Sequence, residues 1–382
     1  MSLAIGIDAR AAAEVPAGRG RFVRELLRAL ARRDVDHTYV LFARNRWRDE
    51  TLDHRFRWVL TGVADPWWNG LVGLRAHRDS DVFFSTNSYL TAWFTRPPTA
   101  LNVFDMIAWD APESAQRRAA RIERATIARA LRRSAHVFCN SDSTHADLLR
   151  RFPDVERKCS VVPLAAGSAF AHEPDPHETE AVRRRYGLER PFVLFTGTLE
   201  PRKNLVRLIE AFVTLPSDVA DTHELLLVGP RGWEESEILG RAREHAQSIR
   251  LLGFVPEEDL ASLYRLCEVF AYPSLYEGFG LPVLEALTAG AAVLTSDVSS
   301  LPEVGGDAVL YVDPLSVQSI RDSLERLLRS SGEREALRSA AAAQAARFSW
   351  DRTADEIVRQ LESIARASAS ARPSRFRSSA RR

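Results

Sequence analysis

Residues 273–286 read Pro-Ser-Leu-Tyr-Glu-Gly-Phe-Gly-Leu-Pro-Val-Leu-Glu-Ala, a stretch that sets two glycines and two acidic residues beside an apolar pattern. A short apolar run, 268–272, precedes it, and apolar residues recur at helical spacing from Leu281 onward. The pattern predicts a strand, a glycine loop and a helix. Glycines let a backbone approach a ligand closely, and the N–H groups at a helix start attract anions. Glu277 lies on this loop, and Glu285 lies about one turn into an apolar helix, where an acid needs a partner.

The same alternation of short apolar runs and helical patterns extends to both sides of this stretch. In the C-terminal half, apolar runs lie at 192–196, 225–228, 249–252, 268–272 and 291–294. In the N-terminal half, they lie at 3–7, 38–43, 81–85, 99–104 and 136–139. Strands that alternate with helices predict parallel sheets with helices on both faces. We therefore expect an α/β chain with two doubly wound, Rossmann-like domains that face a central cleft.

The length of the chain and a proline-containing segment set the expected domain boundaries. A chain of 382 residues exceeds the ~250–300 residues at which single cores stop growing. The segment EPDPHETE has the composition of a linker. We expect an N-terminal domain at 1–168, a linker at 169–186, a C-terminal domain at 187–348, a helix at 349–366 that crosses back to the N-terminal domain, and a basic disordered tail at 367–382.

The composition excludes several classes of protein. Apolar residues make up 45% and charged residues 27% of the chain, proportions typical of a globular protein. Three cysteines cannot close a full set of disulfides, which favours a reducing cytosol. The N-terminal stretch has no basic segment before a long apolar one, and no apolar run approaches the ~20 residues of a membrane span. The expected location is cytoplasmic.

The net charge of +1 conceals an uneven distribution along the chain. Residues 1–170 carry 26 basic and 19 acidic residues, a net charge of +7, which leaves −6 for the rest. Residues 114–133 contain seven arginines against one acid, Glu123, with a weak apolar stripe. A basic helix of this kind is typical of a protein that binds a membrane surface, here the inner face of the membrane. The same pattern is also typical of a solvated helix that packs on a sheet. Trp67 and Trp68 fit an acceptor cleft, an interface or the core. No aromatic pattern or known module indicates nucleic acid.

A second glycine loop, 196–204, follows the strand expected at 192–196 and precedes a helix. Gly197 opens this loop, and the adjacent cations Arg202 and Lys203 lie near its end. At the C-terminal edge of a parallel sheet, such a pair is placed to hold a phosphate. Lys203 is one of two lysines beside 50 arginines, which hints at selection for a compact point charge.

The first glycine loop contains Gly18 and Gly20 and lies between the strand expected at 3–7 and a helix. Its place at a helix start favours an anion, although a tight turn explains the two glycines equally well. The dinucleotide fingerprint G-x-G-x-x-G is incomplete, because Val23 stands at the third glycine position. The loop is therefore predicted to bind an anion or to form a tight turn.

The string EGFGLPVLEALTAG at 277–290 is similar to the E-x7-E signature of retaining glycosyltransferases of family 4, which have the two-domain GT-B fold. FVLFTGTLEPRKNLVRLIEAF, LLLVGP and IRLLGFVPEEDLASLYRLCEVFAYPS also resemble the donor domain of that family. IGIDAR and GRGRFVRELLRAL resemble its opening strand, glycine loop and helix. The resemblance covers roughly residues 3–365, and it implies an N-terminal acceptor-binding domain and a C-terminal domain that binds a nucleotide-sugar donor.

The resemblance also implies roles for individual residues. Arg202 and Lys203 would bind the donor diphosphate, Glu285 the ribose hydroxyls, and Glu277 the transferred sugar. The other donor-binding residues would be Gly18, Gly20, Gly197, Gly253, Phe254, Val255, Gly278, Phe279, Gly280 and Leu281. Catalysis would depend on Glu277, Arg202, Lys203 and Asp105. No metal or cofactor is implied, because cations and N–H groups would stabilise the developing phosphate charge.

The implied activity is a retaining, metal-independent transfer of a hexose from a nucleotide-diphosphate sugar to a hydroxyl acceptor, a glycan or a lipid-linked saccharide. The stretch GPRGW resembles polysaccharide mannosyltransferases and favours mannose from GDP-mannose. Many family members carry His-Asp where this chain has Phe104 and Asp105, so one polar contact to the sugar is lost. Two alternatives stay open: a nucleotide-sugar 2-epimerase on the same fold, and a non-catalytic nucleotide-sugar-binding partner of another transferase.

Overall fold

The computed structural model describes residues 2–15, 18–172 and 175–371, and its N-terminal half contains a seven-stranded sheet. Every pairing in this sheet is parallel. The strands are β1 (Ala4–Asp8), β2 (Thr38–Ala43), β3 (Phe56–Leu60), β4 (Val82–Ser85), β5 (Thr99–Val103), β6 (His136–Cys139) and β7 (Cys159–Val161). Their order is β3-β2-β1-β4-β5-β6-β7, so the direction of winding reverses between β1 and β4.

The C-terminal half contains a six-stranded sheet, again with parallel pairings throughout. Its strands are β8 (Phe192–Thr196), β9 (Glu224–Val228), β10 (Ile249–Gly253), β11 (Val269–Tyr272), β12 (Val293–Ser296) and β13 (Val309–Val312). Their order is β10-β9-β8-β11-β12-β13, and the winding reverses between β8 and β11. The prediction of an α/β chain with two doubly wound, Rossmann-like domains is confirmed.

Helices connect the strands in both halves. In the N-terminal half they are α1 (Arg10–Glu14), α2 (Arg19–Arg32), α3 (Trp67–Asp79), α4 (Thr91–Phe94), α5 (Ile107–Asp110), α6 (Arg117–Arg133), α7 (Asp142–Arg151) and α8 (Ser168–Ala171). From residue 176 onward they are α9 (Pro176–Arg185), α10 (Leu205–Val213), α11 (Ser217–Ala220), α12 (Ser236–Glu244), α13 (Glu257–Leu266), α14 (Leu281–Thr288), α15 (Leu301–Gly305), α16 (Val317–Arg329), α17 (Ser331–Ala345) and α18 (Trp350–Ala371). Short 3-10 helices lie at Pro112–Ser114, Pro153–Lys158 and Pro201–Lys203. None of the helices in the described ranges is long and apolar enough to cross a membrane.

The two faces of the N-terminal sheet are covered by different helices. Leu41 of β2 packs in the same core as Phe22 of α2, whereas its neighbour Val40 packs in a separate core with Trp68 of α3. Successive strand residues point to opposite faces, so α2 and α3 cover opposite sides of the sheet. Helix α18 lies beside α2 and also contacts β4.

Three strands, β3, β7 and β13, were not predicted from the sequence, and each lies at the edge of its sheet. The residues of β7 are all partly exposed, and only Phe56 and Val59 of β3 are buried. Central strands of a parallel sheet are buried on both faces and therefore show continuous apolar runs, which β3 and β7 lack. Weak apolar patterning thus accounts for β3 and β7, whereas β13 was missed despite its apolar run and the edge strand β10 was predicted.

Two expected boundaries differ from the structure. Helix α9 occupies much of the range expected as a linker, 169–186, because Pro176 stands at its first turn and the Asp175 carboxylate accepts a hydrogen bond from the backbone N–H of His177 at 2.8 Å. Helix α18 continues to Ala371, so residues 367–371 are helical and not part of a disordered tail. The rest of that expected tail lies outside the described residues.

Candidate active site

A cavity of about 400 Å³ lies in the cleft between the two halves, at the carboxyl ends of strands from both sheets. Open α/β sheets bind ligands at this edge, near the point where the winding reverses. The expected site residues that line the cavity are Gly18, Asp105, Gly197, Arg202, Lys203, Phe254, Val255, Glu277, Gly278, Phe279, Gly280, Leu281 and Glu285. Gly20 and Gly253 are not among the lining residues.

Glu277 is almost fully buried in the wall of this cavity. Its Oε1 accepts hydrogen bonds from Lys203 Nζ at 2.6 Å, Ser274 Oγ at 2.6 Å and the Tyr272 hydroxyl at 2.9 Å, and its Oε2 accepts one from Arg202 Nη1 at 2.6 Å. Burial acts to raise the pKa of Glu277, but Arg202 and Lys203 lower it to about 2. The carboxylate is therefore ionised at neutral pH and holds both cations at the cavity.

Lys203 is a buried cation and Arg202 a partly buried one, and Glu277 lies between them. Arg202 also donates to Glu200 Oε1 at 2.6 Å and to the Tyr276 carbonyl at 2.8 Å. Burial lowers the pKa of Lys203, and the neighbouring Arg202 lowers it further. Burial also acts against the charged form of Arg202, but Glu277 and Glu200 raise its pKa. In the described ranges, no group of three or more His, Cys, Asp or Glu residues is gathered to hold a metal ion.

The turn that carries the two cations is held by Asn204. This residue has a φ of 61°, in the left-handed region that asparagine tolerates better than most residues. Its Nδ2 donates to the carbonyls of Pro273 at 2.9 Å and Pro314 at 2.7 Å. The loop after β8 is thereby tied to the loop after β11, where Glu277 lies. Sequence reasoning missed Asn204, although it directly follows Lys203.

Glu285 is buried in α14 and bridges the two halves. Arg21, in the first turn of α2, donates to Glu285 Oε1, and the Tyr264 hydroxyl donates to Oε2 at 3.2 Å. Arg21 Nη2 lies 3.7 Å from Glu257, and its buried Nε has no hydrogen-bond partner in the described part of the chain. Arg21 thus contacts the carboxylate that the resemblance assigns to the ribose. The sequence gives one signal for it, its position directly after Gly20.

Gly278 is the point where the donor loop touches the N-terminal half. A Cβ at this position would lie 2.0 Å from the carbonyl oxygen of Phe104, so only glycine permits this approach. The Gly278 carbonyl accepts hydrogen bonds from Ser141 Oγ at 2.7 Å and from Thr144 Oγ1 at 3.0 Å. The loop expected to hold the transferred sugar is therefore fixed by both halves.

Two further contacts between the halves lie close to this loop. The Glu303 carboxylate accepts from the backbone N–H groups of Asp142 at 2.8 Å and Ser143 at 2.7 Å, and so caps α7. The Tyr276 hydroxyl donates to Asp147 Oδ2 at 2.9 Å and accepts from the backbone N–H of Met106 at 3.1 Å. Sequence reasoning missed both contacts, because no local pattern marks a bond between residues more than 100 positions apart.

Phe104 and Asp105 lie opposite the donor loop. The Arg19 guanidinium lies 5.2 Å from the centre of the Phe104 ring, within the range of a cation–π contact. Asp105 lines the cavity, and its Oδ1 also accepts from the backbone N–H of Ile107 at 3.2 Å. Near them, Glu123 Oε1 accepts from the Tyr89 hydroxyl at 3.2 Å, and burial followed by the charge of Asp105 raises the pKa of Glu123 to about 7.

Two doubly wound domains with buried cations and carboxylates at their facing strand ends are the arrangement expected of a GT-B glycosyltransferase. Residues 178–344 match the family model for glycosyl transferases group 1, and residues 16–165 match the model for glycosyltransferase family 4. The chain belongs to this family of glycosyltransferases.

The relatives include two mannosyltransferases of Escherichia coli. The chain is 34% identical over 289 residues to O-antigen chain mannosyltransferase B, a match that covers 75% of this chain and 74% of the relative. It is 35% identical over 227 residues to the serotype-specific mannosyltransferase WbdA, covering 58% of this chain and 28% of WbdA. The chain therefore spans less than a third of WbdA.

Solved structures share the fold at lower identity. Sucrose-phosphate synthase from Thermosynechococcus elongatus aligns with a TM-score of 0.78 at 18% identity, over 95% of this chain and 99% of that structure. The glycosyltransferase WaaG, involved in lipopolysaccharide biosynthesis, aligns with a TM-score of 0.74 at 18% identity, over 94% and 99%. Anabaena HepE in complex with UDP-glucose aligns with a TM-score of 0.73 at 17% identity, over 96% and 100%. These similarities establish the GT-B fold.

Proposed function

We propose that this glycosyltransferase transfers a hexose from a nucleotide-diphosphate sugar to a hydroxyl of a glycan or a lipid-linked saccharide, with retention of configuration and without a metal ion. The observation that carries the proposal is the pair of cations on the wall of the cavity, the partly buried Arg202 and the buried Lys203, each 2.6 Å from one oxygen of Glu277. Mannose from GDP-mannose is the preferred donor, because the relatives described above are mannosyltransferases.

In this proposal the two cations bind the diphosphate and stabilise the charge that it gains as the glycosidic bond breaks. Charge-assisted hydrogen bonds from a guanidinium and an ammonium are strong in a buried site, because little water competes for them. The N–H groups at the start of α14, after Gly280, point along the helix dipole toward the same cavity and add positive potential. The chain itself thus supplies positive charge at the leaving group.

Glu277 is suited to hold sugar hydroxyls and poorly suited to act as a base. With a pKa of about 2, its carboxylate is too weak a base to accept a proton from an alcohol at neutral pH. The proton of the acceptor hydroxyl would therefore pass to the departing diphosphate, which lies on the same face of the sugar. Attack on that face retains the configuration of the anomeric carbon.

The two alternative functions, a 2-epimerase and a non-catalytic binding partner, gain no support from the contacts or the relatives described above. The family assignment identifies the chain as a glycosyltransferase, which favours transfer over both a 2-epimerase and a non-catalytic binding partner. The change to Phe104 leaves Asp105 on the cavity wall. It also leaves Arg19 as a nearby cation.

The test is a panel of nucleotide sugars, with and without EDTA, incubated with the chain and a set of oligosaccharide acceptors. We expect GDP release and a mannosylated product from GDP-mannose in the presence of EDTA, with the α-configuration of the donor kept in the NMR spectrum of the product. A product of inverted configuration would contradict the retaining mechanism. Activity that EDTA abolishes and Mg²⁺ restores would contradict metal independence.

A further inference from the structure

Five of the nine large hydrophobic side chains that are exposed in the described residues lie on three helices of the N-terminal half. They are Trp67, Leu71 and Leu74 on α3, Phe94 on α4 and Ile122 on α6. Trp67 is 76% and Leu74 is 64% exposed, while the adjacent Trp68 is fully buried in the core. Residues at positions i, i+4 and i+7 share one side of a helix, so the three α3 residues form an exposed apolar stripe.

The three helices form one continuous surface, which we call the α3–α6 face and which consists of the exposed residues of α3, α4 and α6. Gly73 lets α3 approach α4, because a Cβ there would lie 2.5 Å from the carbonyl oxygen of Phe94. On the other side, Trp93 Nε1 of α4 donates to the Thr126 carbonyl of α6 at 2.9 Å, and Arg129 of α6 stacks over the Trp93 ring. The α3–α6 face lies on the opposite side of the sheet from α2.

This face is strongly basic. The three helices carry two acids, and neither competes for a ligand at the surface: Asp79 lies 3.4 Å from Arg78, and Glu123 accepts from Tyr89. Their arginines number nine and all are exposed: Arg75, Arg78, Arg117, Arg118, Arg121, Arg124, Arg129, Arg132 and Arg133. An exposed apolar patch rimmed by charged residues marks an interaction site, and the sign of the charge indicates an anionic partner.

We propose that the α3–α6 face docks on a lipid bilayer that contains anionic headgroups. Trp67, Leu71 and Leu74 would enter the boundary between headgroups and acyl chains, and the exposed arginines of α3 and α6 would bind lipid phosphates. An apolar stripe on the same face as nine exposed arginines complements an apolar layer beneath an anionic one. A second copy of the chain would bring like charges together, which opposes self-association through this face.

The proposal extends the earlier expectation for residues 114–133. The basic helix α6 supplies seven of the nine arginines but one exposed large apolar residue, Ile122, whereas α3 supplies the apolar stripe. Membrane helices of this kind need both components, because electrostatic attraction brings the protein to the surface and apolar burial holds it there. The docking gives access to a lipid-linked acceptor and in that respect rests on the proposed function, but the binding itself is measured without any substrate.

The test is sedimentation of the full chain with sucrose-loaded vesicles of phosphatidylcholine alone or of phosphatidylcholine mixed with phosphatidylglycerol. We expect binding to the mixed vesicles, little binding to the neutral ones, and weaker binding as salt rises. The double variant Trp67→Ser/Leu74→Ser should bind the mixed vesicles at least about tenfold more weakly. Arg118→Gln or Arg121→Gln should weaken binding about fivefold each.

A matched control is Leu315→Ser, which removes a side chain that is 67% exposed in the C-terminal half, and this variant should bind like the wild type. The proposal is overturned if the wild type binds neither vesicle, or both equally, or if the double variant binds like the wild type. It is also overturned if the wild type sediments as a dimer in the absence of vesicles and the double variant as a monomer, since the face would then join two copies. Calorimetry with GDP on the same samples is independent: a wild type that binds vesicles but no nucleotide sugar or GDP contradicts the proposed function and leaves the docking intact.

Discussion

The substitution Glu277→Gln should make the protein less stable and make it bind GDP more tightly. The variant keeps the shape of the side chain but removes the negative charge between Arg202 and Lys203, whose distances to the two carboxylate oxygens are 2.6 Å. Removing one partner of a buried ion pair costs about 3–5 kcal/mol, because the remaining charge is buried without compensation. Here two cations are left, so we expect a loss in this range.

The pKa of Glu277 provides a second way to calculate the same loss of stability. Its pKa falls from 4.5 to about 2 in the folded protein, and a shift of this size corresponds to about 3 kcal/mol of stability. Because the folded-state pKa is depressed, this contribution is present above about pH 4.5 and is lost as the pH falls toward 2. The unfolding free energy of Glu277→Gln should lack this acid-dependent part, and at pH 7 the melting temperature should fall by roughly 6–20 °C.

GDP should restore much of this loss, since its diphosphate supplies the negative charge that the variant lacks. In the wild type the Glu277 carboxylate competes for the same two cations, so GDP should bind the variant about tenfold or more tightly, while turnover with the sugar donor falls by at least about a hundredfold. The assay is a thermal-shift titration with GDP, paired with calorimetry.

The matched control is Glu224→Gln, another buried carboxylate that pairs with two arginines, Arg190 at 2.9 Å and Arg250 at 3.1 Å, but does not line the cavity. This variant should also lose stability, but GDP should stabilise it only as much as it stabilises the wild type. Equal stabilisation of Glu277→Gln and Glu224→Gln by GDP would refute the assignment of Arg202 and Lys203 to the diphosphate.

Two further predictions concern contacts between the halves, and a third concerns Glu123 inside the N-terminal half. Arg21→Gln leaves Glu285 buried without its cation and should lower the unfolding free energy, measured by urea titration, by about 3 kcal/mol. An unchanged urea midpoint would contradict this prediction. Gly278→Ala places a Cβ 2.0 Å from the Phe104 carbonyl oxygen and should therefore push the two halves apart. We expect transfer to be abolished and the radius of gyration in solution scattering to increase, while GDP binding persists. Wild-type turnover would show that the close contact between Gly278 and Phe104 is dispensable. Glu123 has its pKa raised to about 7, so the protonated form is favoured in the folded state and stability declines as the pH rises from about 4.5 to 7. Glu123→Gln should remove that decline, and an unaltered pH profile of the unfolding free energy would contradict it.

The central strands and the donor loop could be predicted from the sequence because their signals are local. The buried strands β8 and β9 contain the continuous apolar runs 192–195 and 225–228, and Gly278 and Gly280 interrupt the apolar pattern after β11 at a definite point. The helix after them begins at Leu281, as expected. The edge strands β3 and β7 and the helix α3, whose exposed side includes Trp67, carry no such pattern and were missed.

The part of the site that sequence reasoning missed consists of pairs distant in the chain. The contact between Arg21 and Glu285 joins residues 264 positions apart, and the resemblance assigned Glu285 without its partner. The prediction for Glu277 also omitted two of its hydrogen-bond donors, the hydroxyls of Tyr272 and Ser274. Only the fold decides which of 50 arginines meets a given carboxylate.

The tie between Gly278 and the N-terminal half bears on attempts to recombine these enzymes. The Gly278 carbonyl receives its hydrogen bonds from Ser141 and Thr144, so the shape of the donor loop depends partly on a helix of the other half. A chimera that takes its first half from one enzyme and its second half from another would therefore exchange more than the acceptor specificity. Recombinants that keep a hydroxyl residue at both positions should retain their donor preference, whereas recombinants that lack them would need a compensating change in the loop itself.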